Sequence, residues 1–379
     1  MVFLLSSENI YGYLAKCNLL DDSKENITKI EQIKAKNFNL LITFSDNNKF
    51  LVKQEIRDSG GKANGDFLKE WLVQEAIHEF TQFNQFNNLT AELIWFDREN
   101  LILVFRYLDN YSDLYNFYAK TNSFPVKIAD ELGTKLAAFH RDSYDCQNYR
   151  EFLLNNDQSP AVHPVHSLIR CWERIEPEIF GETPAQGLRF FVLYQKYDSL
   201  GNAIAELGTA FKPSCFTHND LKLNNILANL DWEQCDGDIL RIIDWERFNW
   251  GDPAFDLGTL VSSYLQIWLA NLIVSQSLSI QESLRSATIP LEKLQPSTAA
   301  LIQAYFTTFP EILKYRPDFL ERTVQFAGFN LIQQIYAVIQ FQKCFDNTEI
   351  AMLQVAKSLL CRPQHSVPTI FGTNADELI

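Results

Sequence analysis

The sequence predicts an α+β protein with a small, strand-rich N-terminal part and a larger, mostly helical C-terminal part. Two groups of short strand patterns support this, one at residues 27–53 and one at 93–107. Beyond them, patterns with apolar residues three and four positions apart indicate helices. At 379 residues the chain is long enough for a large core and two lobes. We place the boundary near Leu108, which gives residues 1–108 and 109–379.

The first group contains three strands, preceded by a short helix at Ser7–Leu20. A hairpin-type turn, Ser45-Asp46-Asn47-Asn48, joins the second strand to the third. The segment between the first two strands, Lys34–Asn37, contains no glycine. The predicted strands are Ile27–Ile33, Phe38–Phe44 and Lys49–Val52.

Further elements follow in chain order. A helix over Gly65–Phe83 precedes the second group of strands, which a turn at Asp97–Asn100 divides. The tail from Pro363 contains Pro, Ser, Gly and Asn, and we expect it to be partly loose. The remaining predicted elements are strands Leu93–Phe96 and Leu101–Tyr107 and helices Ile128–His140 and Leu188–Phe211.

Composition excludes several classes of protein. The chain is 46% hydrophobic and 21% charged, as ordinary globular proteins are. Its net charge of −14 argues against nucleic acid as a partner, because phosphates would be repelled. Seven cysteines without a C-x-x-C pair favour reduced thiols in a cytoplasm over disulfides or zinc. The uncharged run Leu257–Gln281 contains polar residues and one apolar helix face, which predicts a half-buried helix and not a membrane span.

Residues 215–258 carry the chemistry. Asp220 follows His218-Asn219 and stands five positions before Asn225, the spacing of a kinase catalytic loop. Asp244 ends an apolar strand pattern at 239–243, so its side chain is expected to emerge at the strand end. Phosphoryl transfer needs a carboxylate to accept the proton of the attacking hydroxyl, and an amide and a second carboxylate to hold magnesium.

With these motifs the chain resembles the aminoglycoside phosphotransferase and choline kinase group, the small-molecule branch of the protein-kinase-like fold. That group usually has H-G-D, then I-D-W or I-D-F-E, then G-D-P-x-x-D-L. Here Asn219 replaces the glycine, and Asp244-Trp245-Glu246 and Gly251-Asp252-Pro253 follow. The resemblance implies a bilobal fold with an antiparallel five-stranded sheet in the N-terminal lobe. It also implies ATP and Mg²⁺ as cofactors and a small hydroxylated molecule as phosphate acceptor.

The same resemblance implies roles for single residues of the catalytic lobe. Asp220 would accept the proton or orient the hydroxyl. Lys222 departs from the commoner pattern of the group, and by similarity to the D-L-K of protein kinases it would pair with the γ-phosphate. Asn225 and Asp244 would bind magnesium. We assign His218 and Asp256 to the scaffold, with Asp256 accepting backbone N–H groups of the catalytic loop, and we expect His140 to be a structural histidine at a helix end.

On the nucleotide side, Lys53 would hold the α/β-phosphates and an acidic residue of the following helix would orient it. Glu75 fits the pattern of the group best, with Glu70 as the alternative. Asn37 matches an asparagine common in the group at that loop. Backbone groups around Phe105 and Tyr107 would bind the adenine edge.

Alternatives remain. Lys222 stands where protein Ser/Thr kinases carry D-L-K, and the missing glycines would also suit a nucleotide-binding scaffold without turnover. Aminoglycoside, choline, amino alcohol, ketosamine and sugar acceptors all fit the motifs, and the oligomeric state is open. An aromatic box for a quaternary ammonium or ordinary core packing would both explain Trp245, Trp250, Tyr264 and Trp268.

Overall fold

The chain forms two compact units in the computed structural model. The first contains residues 1–112 and 227–248, and the second contains 113–226 and 249–379. The first unit thus extends past the boundary expected at Leu108 and includes a later segment that was expected in the C-terminal lobe. The described residues are 3–20, 27–58, 60–156, 163–173, 175, 181, 183–235, 237–274 and 277–379.

The first unit is built on a five-stranded antiparallel sheet in the order β1-β2-β3-β5-β4. Alternation along β3 turns Phe50, Val52 and Gln54 into the core, and Lys53 therefore projects from the opposite face. Lys53 lies opposite Leu103 of β5. The strands are β1 Ile27–Ile33, β2 Phe38–Phe44, β3 Lys49–Gln54, β4 Leu93–Asp97 and β5 Ile102–Arg106.

Two helices cover this sheet, α1 (Ile10–Lys16) and α2 (Asp66–Glu79). The apolar side chains of α1 join one core cluster with β2 and β3, and Phe67 of α2 packs with Leu103 and Phe105 in another. The carboxylate of Glu55 accepts the first backbone N–H groups of α2, from Gly65, Asp66 and Phe67, at 2.8 to 3.2 Å. A distant side chain therefore satisfies the orphan donors at this helix start.

The later segment joins the first unit through backbone hydrogen bonds. Ile242 donates its N–H to the carbonyl of Leu89 at 2.6 Å, and Ile242 also forms a parallel bridge with Thr90. These contacts fix the strand that leads into Asp244. A second sheet of this region has the order β6-β8-β9, and its strands are β6 Tyr111–Asp113, β8 Ile226–Asn229 and β9 Leu240–Ile242.

The second unit is mostly helical. Two short strands pair in it, β7 (Cys215–Thr217) with β10 (Asn249–Gly251), in an antiparallel ladder, and Leu272 forms an isolated antiparallel bridge with Ala287. A 3₁₀ turn, Leu223–Asn225, follows the catalytic loop. The helices are α3 Leu114–Thr121, α4 Val126–Ser143, α5 Gln147–Asn156, α6 Pro164–Glu173, α7 Ala185–Gln195, α8 Asp198–Ala210, α9 Pro253–Ala270, α10 Ile280–Arg285, α11 Leu291–Thr308, α12 Ile312–Tyr315, α13 Phe319–Gln342, α14 Asn347–Cys361, α15 Pro363–Phe371 and α16 Ala375–Leu378.

The first part of the uncharged run, as far as Ala270, belongs to α9. Asp252 caps it, and almost all of its residues are buried, so the expectation of a half-buried helix was wrong. A helix that is apolar on all sides belongs in a core. Gly258 lets it approach α13 closely, because a Cβ there would lie 2.7 Å from the carbonyl oxygen of Thr323. Among the described residues no helix is both long enough and apolar enough to cross a bilayer.

Two other expectations in this unit were wrong. The tail from Pro363 is helical, with Ile370, Phe371 and Leu378 buried. Pro363 starts α15 and Gly372, at φ 71°, ends it, so the residues that suggested looseness are helix boundaries. The helix expected over Leu188–Phe211 is divided into α7 and α8.

Candidate functional site

The loop between β7 and the 3₁₀ turn is held by one buried carboxylate. Asp256, in the first turn of α9, accepts the backbone N–H groups of His218 and Asn219, both at 2.7 Å. Its side chain is fully buried, and a buried carboxylate requires such donors. This confirms the contact expected from the sequence. It fixes the backbone immediately before Asp220.

His140 supports that carboxylate from α4. Its Nε2 lies 3.4 Å from Asp256 Oδ2, and its Nδ1 lies 2.9 Å from the hydroxyl of Tyr305. The imidazole is completely buried. His140 is therefore a structural histidine, as expected.

The loop backbone explains why asparagine can stand where relatives of this kind have glycine. Asn219 has φ 61°, in the left-handed region, where asparagine is the most tolerated residue after glycine. Gly251, on the paired strand β10, is required by close packing. A Cβ there would lie 2.1 Å from Thr217 Oγ1 and 2.9 Å from Asn219 Oδ1.

Three predicted residues come together in this loop. Lys222 Nζ donates to Asp220 Oδ2 at 3.0 Å, and Asn225 Nδ2 donates to the Asp220 carbonyl at 2.9 Å. His218 Nδ1 accepts the Asp220 N–H at 3.2 Å. Both hydrogen bonds of Asn225 use its nitrogen, not the oxygen that would bind a metal. The Asp220 side chain keeps 21% of its surface exposed, so it remains accessible to a substrate.

Arg316 is a buried structural residue that the sequence did not reveal. It forms a buried ion pair with Asp252, whose side chain also accepts the N–H groups of Lys212 and Ala254. Burial raises the pKa of Asp252, although Arg316 opposes this shift. Asp252 thus has a structural role, as a helix cap and as the partner of a buried arginine. Nothing in the local sequence marks a single arginine 64 positions downstream as its partner.

In the first unit, Lys53 forms the centre of an ionic cluster. Its Nζ lies 2.6 Å from Asp244 Oδ1 and 3.4 Å from Glu70 Oε1. The ammonium also lies 5.3 Å from the centre of the Phe105 ring, within the range of a cation–π contact. Only 12% of the Lys53 side chain is exposed. The strand lysine predicted from the sequence therefore contacts the predicted metal aspartate.

The acidic partner of Lys53 is Glu70, the alternative, and the choice of Glu75 was wrong. Glu70 lies in the first half of α2 and is 4% exposed, whereas Glu75 is half-buried and makes no ion pair with a described residue. Five residues turn a helix by about 500°, so the two side chains point about 140° apart. They cannot both face Lys53.

The pKa values of Lys53 and Glu70 are both shifted in this cluster. Burial lowers the pKa of Lys53, but Glu70 and Asp244 outweigh it, and the pKa is raised above its usual value. Burial raises the pKa of Glu70 to about 7, against the lowering effect of Lys53. Lys53 therefore stays cationic at neutral pH.

The segment around Asp244 is fixed by short-range contacts. Asp244 has φ 58°, and its side chain is 44% exposed. Trp245 Nε1 donates to the Ile242 carbonyl at 3.0 Å. Lys36 of the β1–β2 loop lies 3.3 Å from Glu246 and 2.7 Å from Asp66. The cationic side chain of that glycine-free loop is thus paired with two carboxylates.

Three further residues, Asn37, Phe105 and Tyr107, were predicted to lie on the nucleotide side of the site, and the structure gives each of them contacts within the fold. Asn37 Oδ1 accepts the N–H of Ile56 at 3.2 Å, and Phe105 is buried beneath Lys53. The N–H groups of Arg106 and Tyr107 donate to Glu92 and Lys49 carbonyls. These two donors are therefore already used in the fold, which restricts the backbone groups that adenine could reach around Tyr107.

Three of the four aromatic residues belong to the core of their own unit. Trp245, in the first unit, is buried. The hydroxyl of Tyr264 forms a hydrogen bond of 2.9 Å with the hydroxyl of Tyr118 within the core. Trp268 is buried and donates to the Leu284 carbonyl. Core packing accounts for Trp245, Tyr264 and Trp268.

Comparison with known folds places the chain in the protein-kinase-like class. A choline/ethanolamine kinase family protein from Mesorhizobium loti shares 15% identity over 97% of this chain and 99% of its own, with a TM-score of 0.53. Amicoumacin kinase, in complex with AMP-PNP and Ca²⁺, shares 10% over 94% and 96%, with a TM-score of 0.52. The GDP complex of an aminoglycoside 2′-phosphotransferase variant shares 13% over 95% and 99%, with a TM-score of 0.50.

The sequence comparison finds a family match over part of the chain. Residues 113–277 match APH, the phosphotransferase enzyme family. This range includes the loop at 218–225, Asp244 and Asp256, while Lys53 and Glu70 lie outside it. No curated protein matches the chain. The resemblance inferred from the motifs and the expected fold are both confirmed.

Proposed function

We propose that this protein transfers the γ-phosphate of ATP, with Mg²⁺, to a hydroxyl group of a small molecule. The observation that supports it best is the loop at 218–225. There a carboxylate, a lysine and an amide are gathered within hydrogen-bonding distance on a backbone that Asp256 fixes. Phosphoryl transfer asks a protein mainly for such positioning and for compensation of charge.

Asp220 is the proposed base. Its carboxylate is partly exposed, and its backbone is immobilised on both sides by Asp256 and Asn225. It would orient the acceptor hydroxyl and take its proton. Lys222, 3.0 Å away, would turn from Asp220 toward the phosphate as negative charge develops there.

Asn225 and Asp244 are the proposed magnesium ligands. Both offer oxygen atoms, which magnesium prefers, and the contacts of Asn225 leave its amide oxygen for this role. The Asp244 carboxylate is 44% exposed, which allows it to exchange its contact with Lys53 for a metal. When bound, ATP would supply the phosphoryl group, and magnesium would neutralise part of the negative charge of the phosphates.

Lys53 is the proposed ligand of the α/β-phosphates. Burial, the aromatic face of Phe105 and two carboxylates keep its ammonium in one place and charged. Glu70 would hold Lys53 when Asp244 turns to the metal. The pair thus supplies a fixed cation where the nucleotide needs one.

Lys222 also favours a second candidate, a protein Ser/Thr kinase, since protein kinases carry a lysine at this place. The contact between Lys222 and Asp220 is compatible with that activity. Only residues 245–248 separate Asp244 from β10, however. No segment there can serve as an activation loop for a polypeptide substrate, so the small-molecule acceptor is favoured.

The decisive experiment offers magnesium ATP with three kinds of acceptor: hydroxylated amines, sugars and a generic protein. Phosphate transfer to one of the small molecules supports the proposal. Transfer to the protein alone would establish the second candidate. Nucleotide binding without transfer to any acceptor would indicate a scaffold without turnover.

The same assay should be repeated with Asp220→Asn. We expect turnover to fall by about 10²–10⁴-fold, because removal of a general base has that effect. Asp130→Asn, at an exposed position of α4, is the matched control. Equal rates for Asp220→Asn and the parent would remove Asp220 from the chemistry.

A further inference from the structure

The second unit contains an apolar cavity that the proposed reaction does not use. Its volume is about 620 Å³, within the range of pockets that hold small ligands. Leu265 and Trp268 of α9 form one wall, and Leu359 and Ile370 form another. These four side chains are buried, whereas other lining residues such as Ser358 are exposed, so the cavity has an apolar floor and opens to solvent.

Arg362 is the only formally charged residue among the described residues that line the cavity. Arg362 and His365 line it together with uncharged amides and hydroxyls, and none of its described lining residues is an aspartate or glutamate. Arg362 makes no ion pair within the described part of the chain. In a protein of net charge −14, an apolar cavity with an arginine and no acidic group selects against cations.

This cavity is distinct from the loop that carries Asp220. Asp256, which holds that loop, lies at the start of α9, and Trp268 follows twelve residues later on the same helix. At 1.5 Å per residue the separation is about 18 Å along the helix axis. No residue of the catalytic loop is among those lining the cavity.

A neighbouring cavity of about 760 Å³ also contains Arg362 and His365, but its chemistry differs. It contains Glu206 and Glu321, and its second arginine, Arg322, is already paired with Glu206. Because this cavity contains groups of both charges, and one arginine is already ion-paired, it offers a charged ligand fewer unpaired groups to bind. The apolar cavity is therefore the better binding site of the two.

We propose that the apolar cavity binds a small amphipathic organic anion. Its apolar or aromatic body would lie against Trp268, Leu265 and Leu359, and its carboxylate or phosphate would pair with Arg362. Burial of the body supplies most of the binding free energy, and the charge-assisted hydrogen bond to guanidinium sets the orientation.

The test uses two probes with the same body and opposite charge, 4-phenylbutanoate and 4-phenylbutan-1-amine. Binding to the full chain is measured by titration calorimetry without nucleotide. We expect one site for the anion and binding of the amine at least about tenfold weaker, since a charge-assisted hydrogen bond to arginine accounts for such a factor. If the parent binds neither probe, or both equally, the proposal is wrong.

Two variants locate the site. Arg362→Gln should weaken anion binding by about tenfold or more, while Arg150→Gln, at an exposed position of α5, should leave it unchanged. Val355→Trp fills the cavity from a half-buried position of α14 and should abolish binding. Thermal unfolding of each variant confirms that it is folded. Anion binding that survives both Arg362→Gln and Val355→Trp would overturn the proposal.

Discussion

The loop at 218–225 and the Lys53 cluster are held by different kinds of interaction. In the loop, the backbone N–H groups of His218 and Asn219 donate to the buried carboxylate of Asp256, and nearby the buried carboxylate of Asp252 accepts those of Lys212 and Ala254. The cluster consists of side-chain ion pairs from Lys53 to Glu70 and Asp244, and the Asp244 carboxylate is 44% exposed. Hydrogen bonds to backbone fix a loop permanently, whereas ion pairs can exchange partners.

The difference separates two tasks. The proposed base would have to be in place before the substrate arrives, and its support belongs to the folded core. The proposed phosphate-binding lysine would have to release a carboxylate when a phosphate takes its place, and its partners are side chains. Changes in the support of the loop are therefore expected to affect mainly folding, and changes at Lys53 and Glu70 to affect mainly ligand binding.

The largest effect is expected at Asp252. Asp252→Asn keeps the helix cap but leaves Arg316 buried without a counter-charge, and we expect the free energy of unfolding to fall by about 3–5 kcal/mol. Adding Arg316→Met removes that charge and should recover much of the loss. Urea unfolding measures both. Asp318→Asn, whose ion pair with Arg322 is 43% exposed on the aspartate side, is the control and should lose at most about 1 kcal/mol. An equal loss in Asp252→Asn and the control would mean that the buried pair is not what anchors this region.

The second effect concerns the partner of Lys53. Lys53→Ala and Glu70→Ala should each weaken nucleotide binding by about tenfold to a hundredfold, as loss of a hydrogen bond to a charged group does. The double variant should lose little more, because the two side chains act as a unit. Nucleotide titrations followed by calorimetry measure these affinities.

Glu75→Ala is the internal control for that cycle. It should combine with Lys53→Ala additively, within about 0.5 kcal/mol. Coupling of Lys53 to Glu75 instead of Glu70 would show that α2 is rotated from the orientation described above. Glu75 would then replace Glu70 as the acidic partner of Lys53 in the comparison of the two regions.

The third effect is a dependence of the unfolding free energy on pH. The folded-state pKa of Glu70, about 7, lies above its ordinary value of 4.5, so the folded protein retains a proton that the unfolded chain loses between these values. Glu70 therefore contributes stability that is lost as pH rises from about 4.5 to about 7. Because Glu70→Gln cannot titrate, the unfolding free energy of the parent minus that of the variant should fall across this window. Chemical unfolding without divalent metal at several pH values measures it. Glu79→Gln, at the exposed end of α2, is the control, and the same slope in both differences would contradict the prediction.

The smallest effect is expected at Lys36. Its side chain is 60% exposed, and exposed ion pairs typically contribute at most about 1 kcal/mol. Lys36→Ala should lower the free energy of unfolding by that amount or less, and the difference should shrink in about 1 M salt, which screens such pairs. Lys29→Ala, in the exposed pair with Glu31, is the matched control. A loss of several kcal/mol from Lys36→Ala alone would place this pair among the interactions that anchor the fold.

Local patterns predicted the first unit well. The bounds of β1 and β2 follow from alternation and from the turn at Ser45–Asn48, and these signals lie within a few residues of each other. The contacts of Asp256 were predictable for a related reason. A motif that recurs in order places the carboxylate next to the loop, and a buried carboxylate has few other partners.

Long-range contacts were not predictable. Glu70, Glu75 and Glu79 all lie on one helix, and only the sheet opposite it decides which faces Lys53. Much of α2 is buried, so its apolar pattern did not distinguish one face. The pairing of Ile242 with Leu89 and Thr90, which draws residues 227–248 into the first unit, joins segments about 150 positions apart without a local signal.

The outer strand β1 has a consequence for the behaviour of the protein in concentrated solution. It lies at one end of the five-stranded sheet, and most of its side chains are exposed. Lys29 and Glu31 form an ion pair at 2.8 Å on this strand. Charged side chains on an outer strand discourage another chain from adding a strand of its own. The sheet that positions Lys53 is thereby protected against edge-to-edge aggregation.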